Sequence, residues 1–185
     1  MKVEAALLEG KPLYGVRFDY AKCFDQVPHS ILLPLVAQMG LPPRLTKPLE
    51  AMYSRLLRRF KVAGGVGEIF LATNGILQGC PLSVVLLNAL VSVWVRAVEI
   101  EVPQASPDAF ADDTGALGPD LATIQAVADV TAAFAHATKQ ELSVKKSFVF
   151  CTVPGVPLSV LLNGLPIKSV SDAEVLGAHL SFHGA

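Results

Sequence analysis

The alternation of apolar and polar positions divides the first part of the chain into one strand and two helices. In PLYGVRFD, residues 12–19, apolar residues occupy alternate positions, which predicts a half-buried strand with Asp19 at its end. Apolar residues at helical spacing follow in 27–40 and 42–57, so two consecutive helices are expected there.

A hairpin, an apolar helix, a second hairpin and an amphipathic helix are expected next. Residues 58–73 predict two short strands around a Gly-rich turn. The most apolar run, 81–95, is shorter than the roughly 20 residues that a membrane span needs. It predicts a buried helix, which is expected to extend over 81–99. A second hairpin is predicted at 108–118, and an amphipathic helix at 120–140 has Asp120 as its N-cap.

The order of these elements predicts the fold class. Short strands are expected to close the chain at 147–151, 158–162 and 173–181. Strands and helices in this order predict an α+β domain, in which a mostly antiparallel sheet carries helices packed on one face. A chain of 185 residues is long enough for one such domain with its own core.

Composition limits the kind of protein this can be. Hydrophobic residues make up 52% of the chain and charged residues only 17%, which argues against disorder. The net charge of -1 gives no overall basic field, so nucleic-acid binding would need a local patch. The candidates for that patch are Arg55, Arg58, Arg59 and Lys61. A solvated helix end explains the same four residues equally well.

Cysteine usage and the N-terminal segment bear on location. The three cysteines, Cys23, Cys80 and Cys151, are widely spaced and form no zinc-binding pattern, which favours a reducing compartment. The N-terminal segment lacks the apolar core of a signal peptide. We therefore expect an intracellular protein that is not secreted and has no membrane partner, with nucleus or cytoplasm left open.

Two adjacent carboxylates, Asp112 and Asp113, stand at the tip of the second predicted hairpin. Each disfavours ionisation of the other unless a positive charge lies nearby. A solvated turn, a pair of caps or a metal site would each explain them. If the fold also brings Asp19 to this tip, three acidic groups would meet, and a divalent cation such as Mg²⁺ would neutralise them.

Five ordered blocks of sequence resemble the palm subdomain of reverse transcriptases, especially the non-LTR retrotransposon type. The blocks are FDYAKCFDQVPHSIL at 18–32, LQGCPLSVVLLNAL at 77–90, FADD at 110–113, ELSVKKSFVF at 141–150 and EVLG at 174–177. Ser143 departs from the family's usual asparagine, whereas Lys146 and Ser147 match. The resemblance covers about 13–180 and implies a single palm domain over 1–185. Fingers and thumb are expected to be largely absent, and a longer product would supply them.

The resemblance implies a catalytic metal centre. Asp19, Asp112 and Asp113 would be the catalytic residues. The same three carboxylates, with the Tyr20 carbonyl, would bind two Mg²⁺ ions, for which Mn²⁺ could substitute. In this family such ions activate the primer 3′-hydroxyl and neutralise the leaving pyrophosphate.

The resemblance also implies four substrate-binding residues. Phe24 would lie under the sugar of the incoming nucleotide, where its ring excludes a 2′-hydroxyl and so selects deoxynucleotides. Gln78 and Gly79 would contact the nucleotide and the template base, and Lys146 would neutralise the leaving phosphate. Without the resemblance, Phe24 would be interpreted as a core residue and Lys146 as a solvated one.

The function implied is RNA-directed DNA polymerase, a nucleotidyltransferase that copies an RNA template from a DNA primer with deoxynucleoside triphosphates. The main alternative is a catalytically silent remnant of a retroelement with weak nucleic-acid binding. An RNA-directed RNA polymerase is disfavoured by the QGCP block at 78–81 and by Phe24, because that class usually carries a polar residue near the sugar. A nuclease or phosphatase would lack its usual histidines.

Overall fold

The computed structural model describes residues 2–175 and 178–183. Six helices lie within them: α1 Lys2–Glu9, α2 Cys23–Gln26, α3 His29–Gln38, α4 Pro43–Tyr53, α5 Pro81–Glu101 and α6 Leu121–Ala137. The first eight strands are β1 Tyr14–Phe18, β2 Leu57–Arg58, β3 Lys61–Val62, β4 Gly65–Val66, β5 Phe70–Leu71, β6 Ser106–Phe110, β7 Asp113–Gly118 and β8 Phe148–Cys151. The other five are β9 Leu161–Leu162, β10 Leu165–Pro166, β11 Lys168–Ser169, β12 Asp172–Val175 and β13 Ala178–Ser181.

The chain divides into two compact units. The first consists of Met1–Ala21 and Val91–Ala185, and the second of Lys22–Leu90. The first unit contains a five-stranded sheet in the order β11-β8-β1-β7-β6. Its neighbouring strands are antiparallel except for β11 and β8. The predicted α+β class with a mostly antiparallel sheet is therefore confirmed.

Helix α6 packs on one face of this sheet, against β1 and β7. Asp120 caps the helix as predicted, since its carboxylate accepts a hydrogen bond of 2.7 Å from the Thr123 amide. Phe18 of β1 meets the Trp94 ring edge-on, with centroids 6.4 Å apart. The Trp94 indole donates to Thr131 of α6 at 3.0 Å, so the apolar stripe of α6 is tied to the core.

The opposite face of the sheet carries a cluster of aromatic rings. Phe148, Phe150 and Phe182 pack together with partly buried side chains that include Val3 of α1. The rings of Phe150 and Phe182 stack with centroids 3.8 Å apart. Gly15 lies beneath the Phe150 ring, where any side chain would overlap it, so this position requires glycine.

The second unit contains α2, α3 and α4 and two antiparallel strand pairs, β2 with β5 and β3 with β4. His29, buried at the start of α3, shares a 2.8 Å hydrogen bond with the Gly75 carbonyl and packs on the Tyr53 ring. Strand β2 pairs with β5 and β3 with β4, which confirms the hairpin predicted at 58–73. Helix α4 ends at Tyr53 instead of continuing to 57, because the chain turns there into β2.

Helix α5 begins at Pro81 and has about the length predicted, but it is less buried than the sequence predicted. Its 21 residues make it long and apolar enough to cross a membrane by length and composition alone, although the core helix of a soluble protein passes the same test. Trp94 and Val98 are fully buried, as in such a core helix. The large apolar residues that α5 exposes are Leu82, Val84, Val85, Val93 and Ile100. The prediction of a buried helix was therefore only partly right.

Several other elements also differ from the prediction. Helices α1 and α2 were not predicted, and the strand expected at 158–162 is reduced to β9. The strand expected at 173–181 is instead an antiparallel pair, β12 with β13. Leu176 and Gly177, the last two residues of the EVLG block, lie outside the described residues.

Candidate active site

Asp19 lies directly after β1, the central strand of the sheet. The last pair between β1 and β7 joins Phe18 to Thr114. Oδ2 of Asp19 is buried and has no hydrogen-bond partner among the described residues, although the side chain as a whole is 38% exposed. Nζ of Lys146 forms an ion pair with this oxygen at 3.7 Å. The structure thus brings Lys146, predicted to bind substrate, to a predicted catalytic carboxylate.

The backbone around Asp19 is held by the segment that precedes β8. Tyr20 is buried and forms an antiparallel bridge with Leu142. The Ser143 amide donates a 2.7 Å hydrogen bond to the Asp19 carbonyl. Binding of a metal by the Tyr20 carbonyl stays a prediction.

The two adjacent aspartates occupy the tip of the hairpin between β6 and β7, as predicted. Phe110 pairs with Asp113, so the connecting turn consists of Ala111 and Asp112 alone. Two-residue hairpin turns require a positive φ at their first position, and Ala111 adopts one of 54°. This conformation costs a residue with a Cβ about 1–2 kcal/mol. Asp112 is exposed and Asp113 is half-buried.

The environment of Asp113 shows that the acidic groups are close. The pKa of Asp113 is raised above its ordinary value, first by burial and then by the negative charges of Asp112, Asp19 and Asp108. The Arg17 guanidinium opposes this rise. Because β1 and β7 are antiparallel, Asp19 lies one step beyond the Phe18–Thr114 pair, next to Asp113. The register therefore unites carboxylates that are ninety-odd positions apart in sequence.

Arg17 and Asp108 complete the charge distribution, and sequence reasoning missed both. Their side chains form an ion pair across β7. Gly115, which lies opposite Arg17, makes this possible, because a Cβ there would lie 2.6 Å from Arg17 Cδ. No sequence motif signals this pair, since only the strand register places the two residues on one face.

The carboxylates of Asp19, Asp112 and Asp113 are chemically suited to bind a divalent cation. Oxygen ligands favour Mg²⁺ or Mn²⁺. Oδ2 of Asp19, which is buried without a hydrogen-bond partner, can serve as such a ligand. Within residues 2–175 and 178–183, no three acidic, histidine or cysteine side chains already converge as ligands of one metal ion. Mg²⁺ sites commonly use one or two carboxylates together with waters and substrate phosphates, so the donors present fit such an ion.

Three predicted substrate-binding residues meet at one pocket in the second unit. Phe24 of α2 lines a pocket of about 480 Å³ together with Gln78 and Gly79. The Ile76 amide donates a 2.8 Å hydrogen bond to the Phe24 carbonyl, which holds the loop beside α2. Gly79 has a φ of 83° and precedes Cys80, whose amide donates to Leu77 at 3.2 Å, so the loop closes in a tight turn.

The second unit also carries an exposed basic hairpin, residues 57–71. The rings of Phe60 and Phe70 stack with centroids 5.1 Å apart, and they are 68% and 39% exposed. Arg59 and Lys61 beside them are exposed. By contrast, Arg58 turns toward Asp25, with Nη1 3.9 Å from Oδ1.

Comparison with known proteins identifies the family. The sequence profile of the family described as "Reverse transcriptase (RNA-dependent DNA polymerase)" matches residues 2–180. The chain belongs to the reverse transcriptase family. Because this match covers nearly the whole chain, the family resemblance inferred from the five sequence blocks is confirmed.

Relatives of this reverse transcriptase domain come from R2 retrotransposable elements. A Pol polyprotein from an R2 element of Popillia japonica is 30% identical over 57% of the chain. One from the R2DM element of Drosophila melanogaster is 24% identical over 73%. These relatives confirm the non-LTR type. The domain spans 19% and 13% of the two polyproteins.

Solved telomerases share the fold of this reverse transcriptase domain. Apo telomerase from Candida tropicalis, truncated from its C-terminal domain, superposes with a TM-score of 0.66 at 14% identity. That match covers 97% of this chain and 36% of the telomerase. Telomerase from Candida albicans, in complex with a fragment of telomeric RNA, gives the same score and identity. At this identity the likeness concerns the fold alone.

Proposed function

We propose that this domain is the polymerase core of an RNA-directed DNA polymerase. It would extend a DNA primer on an RNA template by transferring deoxynucleotides to the primer 3′-hydroxyl. The observation that carries the proposal is the position of Asp19 beside the Asp112–Asp113 hairpin tip, together with the raised pKa of Asp113. A carboxyl group with a raised pKa that lies among other acidic groups is typical of a functional site.

Asp19, Asp112 and Asp113 would hold two Mg²⁺ ions, for which Mn²⁺ could substitute. Bound there, such ions supply charge neutralisation for the attacking and leaving oxygens of the phosphoryl transfer. The Asp19 carboxylate has a buried oxygen available as a donor, which supports its assignment as a ligand. Arg17 faces the same carboxylates and limits the rise in the pKa of Asp113, which favours its ionised form.

Lys146 is proposed to neutralise the leaving phosphate. Its ammonium group pairs with Asp19 while its side chain stays 73% exposed, so it remains accessible to substrate. A surface ion pair of this kind is weak and exchanges partners readily. Binding of a triphosphate would therefore draw Lys146 from the carboxylate to the phosphate.

The pocket of the second unit is proposed to receive the deoxynucleotide. Phe24 forms one wall of it, and a ring at that place would exclude a ribose 2′-hydroxyl. Gln78 supplies an exposed amide that can hydrogen-bond a base or a phosphate. Gly79 has no side chain and adopts the positive φ that glycine tolerates, so the adjoining turn stays open beside the pocket.

The basic hairpin is proposed to bind the single-stranded part of the template. Exposed aromatic rings stack on bases, and neighbouring cations contact the phosphates, which is how single strands are commonly bound without sequence preference. Phe60 and Phe70 provide the rings, and Arg59 and Lys61 provide the charges.

Primer extension with Asp112→Asn tests the proposed function. The assay uses an RNA template, a DNA primer, Mg²⁺ and deoxynucleotides, and we expect extension by the wild-type chain and at least a thousandfold loss in the variant. Asp129→Asn is the matched control, because Asp129 is an exposed carboxylate on α6 that accepts a hydrogen bond from Gln125. Equal extension by all three proteins would contradict the role of Asp112.

A silent retroelement remnant is the alternative to this function. It would bind nucleic acid weakly and extend no primer with either Mg²⁺ or Mn²⁺. The primer-extension assay therefore separates the two functions.

A further inference from the structure

Asp19 lies just beyond the sheet, so its backbone is not held by strand pairing. Strand β1 pairs with β7 as far as Phe18 and with β8 as far as Arg17. The amide of Asp19 donates instead to the hydroxyl of Ser147, at 3.1 Å. Two residues of one short segment therefore fix this catalytic candidate, because Ser143 binds the Asp19 carbonyl.

Ser147 closes a ring of hydrogen bonds around the Asp19 backbone. Its hydroxyl accepts from the Asp19 amide and donates to the Ser143 carbonyl at 2.9 Å. The Ser143 amide in turn donates to the Asp19 carbonyl at 2.7 Å. Ser147 is fully buried, so water does not replace its hydroxyl. Only a short side chain that both donates and accepts, serine or threonine, can fill this place.

We propose that Ser147 is a positioning residue, which sets the backbone of Asp19 and thereby aims its carboxylate at the Asp112–Asp113 tip. This inference rests on the proposed function. Ser147 bonds the Asp19 backbone, and its effect on the reaction would pass through Asp19. Catalysis by positioned carboxylates is sensitive to displacements of about 1 Å, so loosening this one contact should slow the reaction.

The other end of β1 offers a matched control. Thr152, also buried, accepts a 2.8 Å hydrogen bond from the Leu13 amide and donates one of 2.8 Å to the Lys11 carbonyl. Ser147 and Thr152 thus flank β8 and hold the two ends of β1 by the same chemistry. Only Ser147 adjoins Asp19, so the pair separates positioning from general stabilisation.

The experiment compares Ser147→Ala, Ser147→Thr and Thr152→Ala in this chain. Amide hydrogen exchange by NMR reports the Asp19 hydrogen bond, with Val16 as the internal reference in β1. Mn²⁺ titration follows paramagnetic broadening of the Asp19 signal. Primer extension then gives kcat and KM for the deoxynucleotide, and thermal unfolding is measured for each protein. Ser147→Cys, which keeps the size but bonds weakly, replaces Ser147→Ala if the latter does not fold.

We expect Ser147→Ala to speed exchange of the Asp19 amide at least tenfold relative to Val16. The Mn²⁺ concentration needed to broaden the Asp19 signal should rise about tenfold in this variant. Its kcat should fall about tenfold, and its KM should not change. Ser147→Thr keeps the donor and the acceptor, so its kcat and Asp19 exchange should stay near those of the wild type, whereas its added methyl group in this buried place should lower the melting temperature. Thr152→Ala should lower the melting temperature comparably but leave kcat and broadening unchanged.

Equal loss of kcat in Ser147→Ala and Thr152→Ala would overturn the proposal, since the effect would then be general destabilisation. Unchanged Asp19 exchange in Ser147→Ala would overturn it as well, and so would absence of Mn²⁺ broadening in the wild type. If the wild type extends no primer, the proposed function fails. Exchange and Mn²⁺ broadening still decide the role of Ser147 in that case.

Discussion

Gly115→Ala is predicted to disrupt the strand register that unites the acidic groups. A Cβ at Gly115 would lie 2.6 Å from the Val16 carbonyl oxygen and 2.6 Å from Arg17 Cδ. The Arg17 side chain can move, but the Val16 oxygen belongs to the backbone of β1. Strands β1 and β7 must therefore separate locally, at the place that sets Asp19 beside Asp113.

The magnitude follows from these two contacts. Overpacking of a well-packed site costs about 1–3 kcal/mol. Displacing Arg17 from Asp108 adds up to about 1 kcal/mol, because Asp108 is partly exposed. We expect a loss of about 1–4 kcal/mol in the free energy of unfolding. For a chain of this size, that loss lowers the melting temperature by about 2–16 °C.

Thermal unfolding followed by circular dichroism measures this effect. Gly65→Ala is the matched control, because Gly65 also lies in a strand and its added Cβ would meet only the Val62 carbonyl oxygen, at 3.5 Å. A melting temperature of Gly115→Ala within about 1 °C of that control would refute the close approach of β7 to β1. Primer extension by Gly115→Ala should fall as well, because the hairpin tip moves with β7.

Three further predictions concern charge, substrate choice and nucleic-acid binding. Because its pKa is raised, the Asp113 carboxyl group contributes stability that is complete below about pH 4 and is lost as the pH rises through the folded-state pKa. Asp113→Asn removes this ionisation, so the variant should be more stable than the wild type near pH 7 in the absence of metal. Urea unfolding across this window should show the variant's advantage growing with pH, and a constant difference would contradict the assignment. Phe24→Val should raise ribonucleotide incorporation at least tenfold relative to deoxynucleotides, measured by competitive extension, whereas unchanged selectivity would remove Phe24 from sugar discrimination. Replacing Arg59 and Lys61 together by Gln should flatten the salt dependence of single-stranded RNA binding by about 1–1.5 units of slope, because single strands lose about 0.7 unit per phosphate contact; an unchanged slope would place the binding surface elsewhere.

Local sequence patterns predicted most secondary-structure elements because their causes are local. The alternation around Val16 predicted β1, and the Asp120 cap fixed the start of α6. The hairpin tip that carries Asp112 and Asp113 was also predicted, because a turn depends on the residues next to it in sequence. The ordered motifs also identified the family, and the family match over residues 2–180 confirms it.

The exposure of α5 was predicted less well. Its apolar run was interpreted as a buried helix, but burial depends on what packs against each face. Trp94 is buried because Phe18 and Thr131 lie against it, whereas Val85 stays exposed. Hydrophobicity alone could not distinguish these two positions.

The sequence by itself determined the elements, the family and the residues that could carry chemistry. Only the tertiary structure decided which of them meet. The β1–β7 register brings Asp19 beside Asp113, and it also places Arg17 opposite Gly115 within reach of Asp108. These contacts join residues about ninety positions apart, so no local pattern records them. Strand pairing sets the register of these contacts, because a shift by one residue would turn each side chain to the other face.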